Sequence, residues 1–364
     1  MKFLILLSKI GRKTHTRHII RAVLRVFAIF SKSTKYNEQA EDVLQKFSAD
    51  NGGTILHKNE IAEHPQYDLQ IIIPVYNTYS YVKECMDSVL SQQTQYRYKV
   101  VVIDDGSTDG SGKLVEQLYG TDNRVEFLHQ ENQGQSVARN KSLQHINAKY
   151  VLFVDSDDVL VPNAVENMLS VAYKENADIV GGGFYSFSEK KILYTSNPKE
   201  MTGFACGKII KSNLFRNVCY PVGYKYEDTI ISMVLFHLAK KMIHLPVVVF
   251  GYRKNLQSTS HTAHRSLRII DLHWITKRIL QERISLGIIN DDKLYNQFLK
   301  QVWFNADHIL MLNDKSVGLA LMWASEKLRR TYFADFKCSQ EFKGIDRALK
   351  EQNYSKFLVE TLFY

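Results

Sequence analysis

The run YVLFVDSDD (residues 150–158) decides how this chain is read. A short apolar stretch ends in a cluster of carboxylates, the pattern of a buried strand that delivers acidic side chains at its carboxyl end. Two upstream stretches share that form: LQIIIPVYN (69–77) and VVVIDDGSTD (100–109). Between them Val82, Met86, Val89 and Leu90 recur at helical spacing, and Leu114–Leu118 lies in a second helix. VEFLH (125–129) reads as a third strand, followed by a helix through Val137, Leu143 and Ile146. A fourth helix covers Val165–Val171, and DIVGGGFYSF (178–187) is a fifth strand. Short apolar strands alternating with helices predict βαβ units, a mostly parallel sheet and right-handed crossovers.

The flanks differ. Residues 36–68 are polar and mixed and read as a linker with a short helix near Ala40–Phe47. From residue 263 to 364 the pattern is helical: Tyr295, Phe298, Leu299, Val302, Trp303, Ala306, Ile309 and Leu310 keep one apolar face. Residues 1–35 carry nine of the 47 Lys and Arg and no acid, leaving 38 basic against 38 acidic residues elsewhere. The net charge of +9 thus belongs to one segment, which argues against a nucleic-acid-binding body. On a helical wheel Ile19, Ile20, Val23, Phe27 and Phe30 oppose Arg17, His18, Arg21 and Arg25. Such a basic amphipathic helix lies on an anionic membrane surface; the alternative is packing on the protein's own body with solvated arginines. A hydrophobic content of 45% excludes disorder as the dominant state. Four cysteines without a CxxC pair make neither a disulfide scaffold nor a zinc ribbon. No stretch of about 18 uncharged apolar residues occurs, so no spanning helix is expected.

In open α/β sheets, ligands bind at the carboxyl ends of the strands. Three of these ends carry polar clusters: Pro74-Val75-Tyr76-Asn77, Asp104 to Asp109, and Asp155-Ser156-Asp157-Asp158. Asp and Asn there also serve as caps and turns, but capping does not need adjacent carboxylates, whose like charges cost energy unless a cation offsets them. Oxygen ligands of this kind suit Mg²⁺ or Mn²⁺ joined to substrate phosphates.

With these residues in place, the chain resembles the inverting family 2 glycosyltransferases of the GT-A fold, of the bacterial capsular and exopolysaccharide type. PVYN (74–77), IDDGSTD (103–109), GQSVARN (134–140) and FVDSDD (153–158) match that family's donor half in order. CGKIIKSNLF (206–215), YEDTI (226–230) and YRKNLQSTS (252–260) resemble its acceptor half. The resemblance implies a Rossmann-like α/β fold with flanking helices, a donor half at 69–187 and an acceptor half at 188–262. The helical C-terminal extension and basic N-terminal helix would be additions to it.

It also assigns roles. Pro74, Tyr76 and Asn77 would line the nucleotide, with Tyr76 either beside the base or serving as a packing aromatic. Asp105 would accept the base imide N–H, with Asp104 supporting the loop. Gly134 would allow close backbone approach. Arg139 would either reach the nucleotide or pair with a core acid. Asp155 would contact ribose or metal-bound water, and Asp157 would ligate Mn²⁺ or Mg²⁺. Asp158 would start a helix. Asp228 would be the general base and Glu227 would help hold the acceptor, although an acidic pair also suits a helix N-terminus. His261 or His264 would be an extra metal ligand or an ordinary surface histidine, and Arg253 and Ser258 would close over the diphosphate. The implied function is transfer of a sugar from a nucleotide-diphosphate sugar, UDP-linked by preference, to a lipid-linked saccharide on the inner face of the cell membrane. The alternatives are transfer to a polyprenyl phosphate, which needs no protein base, and a non-catalytic glycan-binding subunit on the same fold.

Overall fold

The computed structural model describes residues 2–29, 31–34, 38–189, 191–196, 201–255, 266–311 and 314–363. Ser258, His261 and His264 lie outside the described residues. The chain forms two compact units, one of residues 1–53, 224–226 and 259–364, the other of residues 54–223 and 227–258. The stretch read as a linker is therefore divided, and its first part belongs with the C-terminal helices.

The first unit begins with α1 (Lys2–Thr14), α2 (Arg17–Ile29) and the short α3 (Ala40–Gln45). The second unit then starts with β1 (Glu60–Ile61) and β2 (Tyr67–Val75), followed by α4 (Tyr79–Leu90), β3 (Tyr98–Asp105) and α5 (Ser111–Tyr119). It continues through β4 (Val125–Gln130), α6 (Gln135–Leu143), β5 (His145–Ile146), β6 (Ala148–Phe153), β7 (Val159–Leu160), α7 (Ala164–Glu175) and β8 (Ile179–Ser188). Three further strands complete it: β9 (Lys191–Ser196), β10 (Lys208–Lys211) and β11 (Met242–Arg253).

Among the described residues the main sheet has nine strands in the order β4-β3-β2-β6-β10-β8-β11-β7, with β9 on β8. Strands β4, β3, β2 and β6 are parallel, as the alternating pattern predicts. Beyond β6 the sheet is mixed: β10 runs antiparallel to both β6 and β8, and β7 runs antiparallel to β11. In β2 every residue from Leu69 to Ile73 is buried. Leu69, Ile71, Ile73 and Val75 share one core with Val82, Met86 and Val89 of α4 and Val165, Met168 and Leu169 of α7. Ile146 is not helical as expected: α6 stops at Leu143, and Ile146 pairs with Ile61 in a separate two-stranded ribbon. Register places Val75 opposite Asp104 and Ile72 opposite Phe153, so the polar ends of β2, β3 and β6 emerge side by side.

The first unit is completed by α8 (Asp271–Glu282), α9 (Asp292–Met311), α10 (Lys315–Phe333), α11 (Lys343–Lys350) and α12 (Tyr354–Leu362). Its predicted apolar face packs inward: Tyr295 of α9 stacks on Phe333 of α10 at a ring-centroid distance of 5.0 Å, and Phe298 lies tilted against the same ring at 5.2 Å. Helix α3 joins by an ion pair of Glu41 with Lys277 at 2.7 Å.

The N-terminal hairpin is oriented opposite to the alternative that packs its apolar stripe on the protein and leaves the arginines in solvent. Arg21 and Arg25 grip Glu360 of α12 at 2.5 and 2.6 Å, and Arg17 donates to the Leu362 carbonyl at 2.7 Å. The basic face packs on the protein, and Ile19, Val23, Val26 and Phe27 are exposed, Phe27 by 71%. The reason lies in α12: a carboxylate and a helix C-terminus, both negative, bind arginines more strongly than they bind an apolar stripe. No helix among the described residues is long and apolar enough to cross a membrane.

Candidate active site

The site forms where β2, β3 and β6 end. Asn77, at φ 52°, clasps the loop after β3: its Oδ1 accepts from the Thr108 amide at 2.8 Å, and its own amide donates to Ser107 Oγ at 3.1 Å. Asp104 supports the same loop, accepting from the Ser107 amide and bonding His129 Nδ1 at 2.9 Å. A Cβ at Gly112 would collide with that carboxylate, so glycine is required there. Asp105 is buried, and its oxygens accept from Gln130 Nε2 and the amides of Gln133 and Gly134, each at 2.8 Å. A carboxylate offers about four acceptor sites, so these three bonds hold the turn and leave room for a further donor. Gly134 has φ 88° and precedes α6, with open space where a Cβ would stand. Tyr76 is 47% exposed beside this loop, and Pro74 is half-buried in β2.

Arg139, on α6, is buried and central. Its Nη2 reaches Asp155 at 2.9 Å and its Nη1 reaches Glu227 at 2.5 Å, while the guanidinium lies 5.3 Å from the centroid of Tyr220. Of the two sequence readings for Arg139, pairing with acids is the observed one. Burial opposes its charge, but Asp155 and Glu227 outweigh that and push its pKa up. Glu227 also accepts from Gln135 Nε2 and is itself buried, so its carboxylate is held by the protein. Asp228 follows, with its carboxyl pushed up to about 7 by burial and by the charge of Glu227, against the pull of Arg139. A π-helical turn, Ile231–Leu235, comes next, an irregularity often found at functional sites.

At the end of β6, burial and the charge of Asp155 raise the Asp157 carboxyl to about 6, and Asn255 Nδ2 donates to it at 3.2 Å. Asp158 does not start a helix: it is buried, accepts from the Arg253 amide at 2.8 Å, and is raised by burial and by Asp155 and Asp157. Arg253 is drawn inward, bonded to the Asp157 carbonyl at 2.7 Å and to Glu84 at 2.6 Å. Ligand atoms of Asp155, Asp158 and Cys206 come within 4.8 Å of one another. Three crowded carboxylates, two with raised pKa, form an oxygen-rich donor set that a hard divalent cation would relieve.

The sequence alone assigns no role to Lys208, Gln135, Asn255 or Tyr220. Lys208 is buried in β10, donates to the carbonyls of Phe204 and Cys206, and is lowered to about 8 by burial. A lone lysine inside the apolar strand CGKIIK was its only signal.

Together, strand-end carboxylates on a Rossmann-like sheet, a glycine-turned helix start and a second acid pair define a GT-A-type glycosyltransferase domain. Residues 70–230 match the family profile described as Glycosyl transferase family 2, and they form a domain of that family. The glycosyltransferase GlyA of Streptococcus pneumoniae is 32% identical over 246 residues, a match covering 60% of this chain and 34% of that protein. This chain therefore spans only part of that relative. In fold it is similar to residues 1–349 of S. aureus TarS in complex with UDP-GlcNAc, at TM-score 0.58 and 18% identity, over 80% of this chain and 90% of that one. It is also similar to the mannosyltransferase PcManGT of Pyrobaculum calidifontis in complex with GDP-Man and Mn²⁺, at TM-score 0.50 and 15% identity, over 94% and 97%.

Proposed function

We propose that the chain is an inverting glycosyltransferase that moves a sugar from a UDP-linked donor to a saccharide hydroxyl of a lipid-linked glycan, working peripherally on the inner face of the cell membrane. One observation carries this reading. The guanidinium of Arg139 joins Asp155, on the donor side, to Glu227, next to the base candidate Asp228. This link supports reading the proposed donor-side and acceptor-side acids as parts of one site.

In the proposed reaction Asp228 takes the proton of the acceptor hydroxyl as that oxygen attacks the anomeric carbon. The bond from this carbon to the diphosphate oxygen breaks, and the nucleoside diphosphate leaves with that electron pair. A carboxylate raised to about 7 is poised near working pH, where general-base catalysis is most effective. Glu227, fixed by Arg139 and Gln135, positions Asp228 and keeps its carboxyl raised. Tyr76 is exposed for stacking on the base, Pro74 and Asn77 shape the loop beneath it, and Asp105 accepts the base imide N–H. Gly134 admits the nucleotide to the start of α6. Asp157 with Asp155 would hold Mn²⁺ or Mg²⁺, which as a Lewis acid would stabilise charge on the departing diphosphate. The saccharide acceptor is preferred to a polyprenyl phosphate because the latter is already an anion and would gain nothing from Asp228.

The test is a donor screen with purified protein, Mn²⁺ or Mg²⁺, and UDP-, GDP- and dTDP-sugars, scored by calorimetry. Metal-dependent UDP binding lost in Asp157→Ala is expected. Tight binding that ignores both chelator and that substitution would overturn the role of Asp157.

A further inference from the structure

The turn that carries the acid cluster is gripped from outside by a single residue. Residues 155–158 close on themselves, the Asp158 amide donating to the Asp155 carbonyl at 2.9 Å. Strand β11 then runs antiparallel to β7, with Phe250 opposite Leu160 and Gly251 opposite Val159. That register, continued two residues further, brings Arg253 level with Asp157. The Arg253 amide donates to Asp158 Oδ1 at 2.8 Å, and its Nε donates to the Asp157 carbonyl at 2.7 Å. Its Nη2 reaches Glu84 of α4 at 2.6 Å.

The side chain has little freedom. Arg253 is 5% exposed, and its guanidinium lies 4.3 Å from the ring centroid of Phe187 on β8 and 5.0 Å from that of Tyr81 on α4. Two rings, a carbonyl and a carboxylate fix the direction of a planar fork. To close over a diphosphate, the role expected from sequence, Arg253 would have to give up all of these contacts. Its place is behind the acids, where it holds the backbone of Asp157, while Asn255 Nδ2 holds the Asp157 carboxylate at 3.2 Å.

A cation in this position acts on a bound metal ion in two opposite ways. Its charge repels the metal, and its hydrogen bonds keep the ligand-bearing turn in shape. Glu84 tips the balance. It pairs with the guanidinium and offsets its charge, while the bonds from Arg253 to the turn remain. The pair therefore supplies rigidity with little opposing charge.

We propose that Arg253 is a positioning residue that sets the affinity of the Asp155–Asp157 turn for its divalent cation, with Glu84 as the anchor that orients and neutralises it. This rests on the metal role given to Asp157 under Proposed function and deepens it. The affinity of the acid cluster is then governed from β11 and α4, by groups that do not touch the metal.

The experiment measures Mn²⁺ binding to the full chain in the presence of UDP, by paramagnetic resonance of the free ion. Residual UDP binding in chelator is measured beside it. Arg253→Gln should weaken Mn²⁺ binding about 10- to 100-fold, the usual effect of losing a group that orients metal ligands. Arg253→Lys should weaken it as well, since an ammonium keeps the charge but not the fork. A residue acting by charge alone would give the opposite sign: Arg253→Gln would tighten Mn²⁺ binding, and Arg253→Lys would leave it unchanged. The Glu84 side chain is 59% exposed, so Glu84→Gln spares the fold. It should weaken Mn²⁺ binding about two- to fivefold, the worth of an exposed ion pair. UDP binding in chelator should match wild type in all three variants. The positioning role is overturned if Arg253→Gln binds Mn²⁺ as tightly as wild type or more tightly, and the anchor role of Glu84 is overturned if Glu84→Gln does. Both are overturned if Mn²⁺ affinity and metal-free UDP affinity fall together, since the turn would then have collapsed as a whole. Wild type that binds no Mn²⁺ overturns the metal role of Asp157 and this inference with it, a result distinct from variants that match a wild type able to bind the ion.

Discussion

Arg139 and Arg17 show two ways in which this chain treats an arginine. Arg139 is buried between Asp155 and Glu227, with both ends of its guanidinium bonded to carboxylates. Arg17 is half-buried among other cations, bonded only to a carbonyl among the described residues and otherwise facing an open cavity. The first arrangement pairs the cation at both ends and fixes geometry. The second holds its cation by a helix C-terminus and leaves it beside open space. A bonded ion-pair network keeps catalytic groups in register, whereas an uncompensated cluster at a surface attracts a ligand.

The comparison breaks most visibly at Arg139. Arg139→Met keeps much of the volume and removes the charge, leaving Glu227 buried with only Gln135 as partner. Stripping one partner from a buried pair costs about 3–5 kcal/mol, which chemical denaturation should register as a lower unfolding free energy. A cost under about 1 kcal/mol would mean that Glu227 is not held as a buried anion. Asp228→Asn acts on chemistry instead: transfer should fall by at least about 10²-fold with UDP affinity unchanged. The wild-type rate should rise with pH through an acidic limb near 7, because the raised carboxyl must lose its proton before it can accept one. Near-normal transfer by Asp228→Asn would reopen the polyprenyl-phosphate reading. Third in size is Gly112→Ala, whose Cβ would meet the Asp104 carboxylate and force it off the Ser107 amide. Overpacking of this kind costs about 1–3 kcal/mol, measurable as a lowered melting temperature.

The parts of the molecule legible in the sequence are those with local causes. The strands β2, β3 and β6 announce themselves by uninterrupted apolar runs, and the sheet brings their polar ends together because parallel neighbours end on the same side. The loop-supporting role of Asp104 follows for the same reason. Asp158 differs from its expected place at a helix start because its carboxylate is held by the Arg253 amide, 95 positions away. The choice between two roles for Arg139 could not be made locally, since Glu227 is 88 positions away. Antiparallel β10 is not legible locally: four residues inserted between β6 and β8 leave little periodic signal. The largest inversion, the hairpin's orientation, has the most distant cause, because Glu360 lies 335 positions from Arg25. Helical periodicity identified two opposed faces, but it could not say which one meets the protein.

That last point gives the smallest expected effect and a sharp discrimination. If the apolar stripe of α2 were the packing face, Phe27→Ser would open a cavity and cost about 3–5 kcal/mol, as aromatic truncations in cores do. With Phe27 exposed by 71%, the change removes no buried contact and should stay within about 0.5 kcal/mol, the range of ordinary surface substitutions. Arg21→Ala should be the more damaging of the two, because Glu360 has a side-chain exposure of only 8% and would keep Arg25 as its sole ion-pair partner. Urea unfolding of the two variants side by side reads the order directly. A hairpin docked by its basic face requires Arg21→Ala to lower stability more than Phe27→Ser, and the opposite order would return the arginines to solvent.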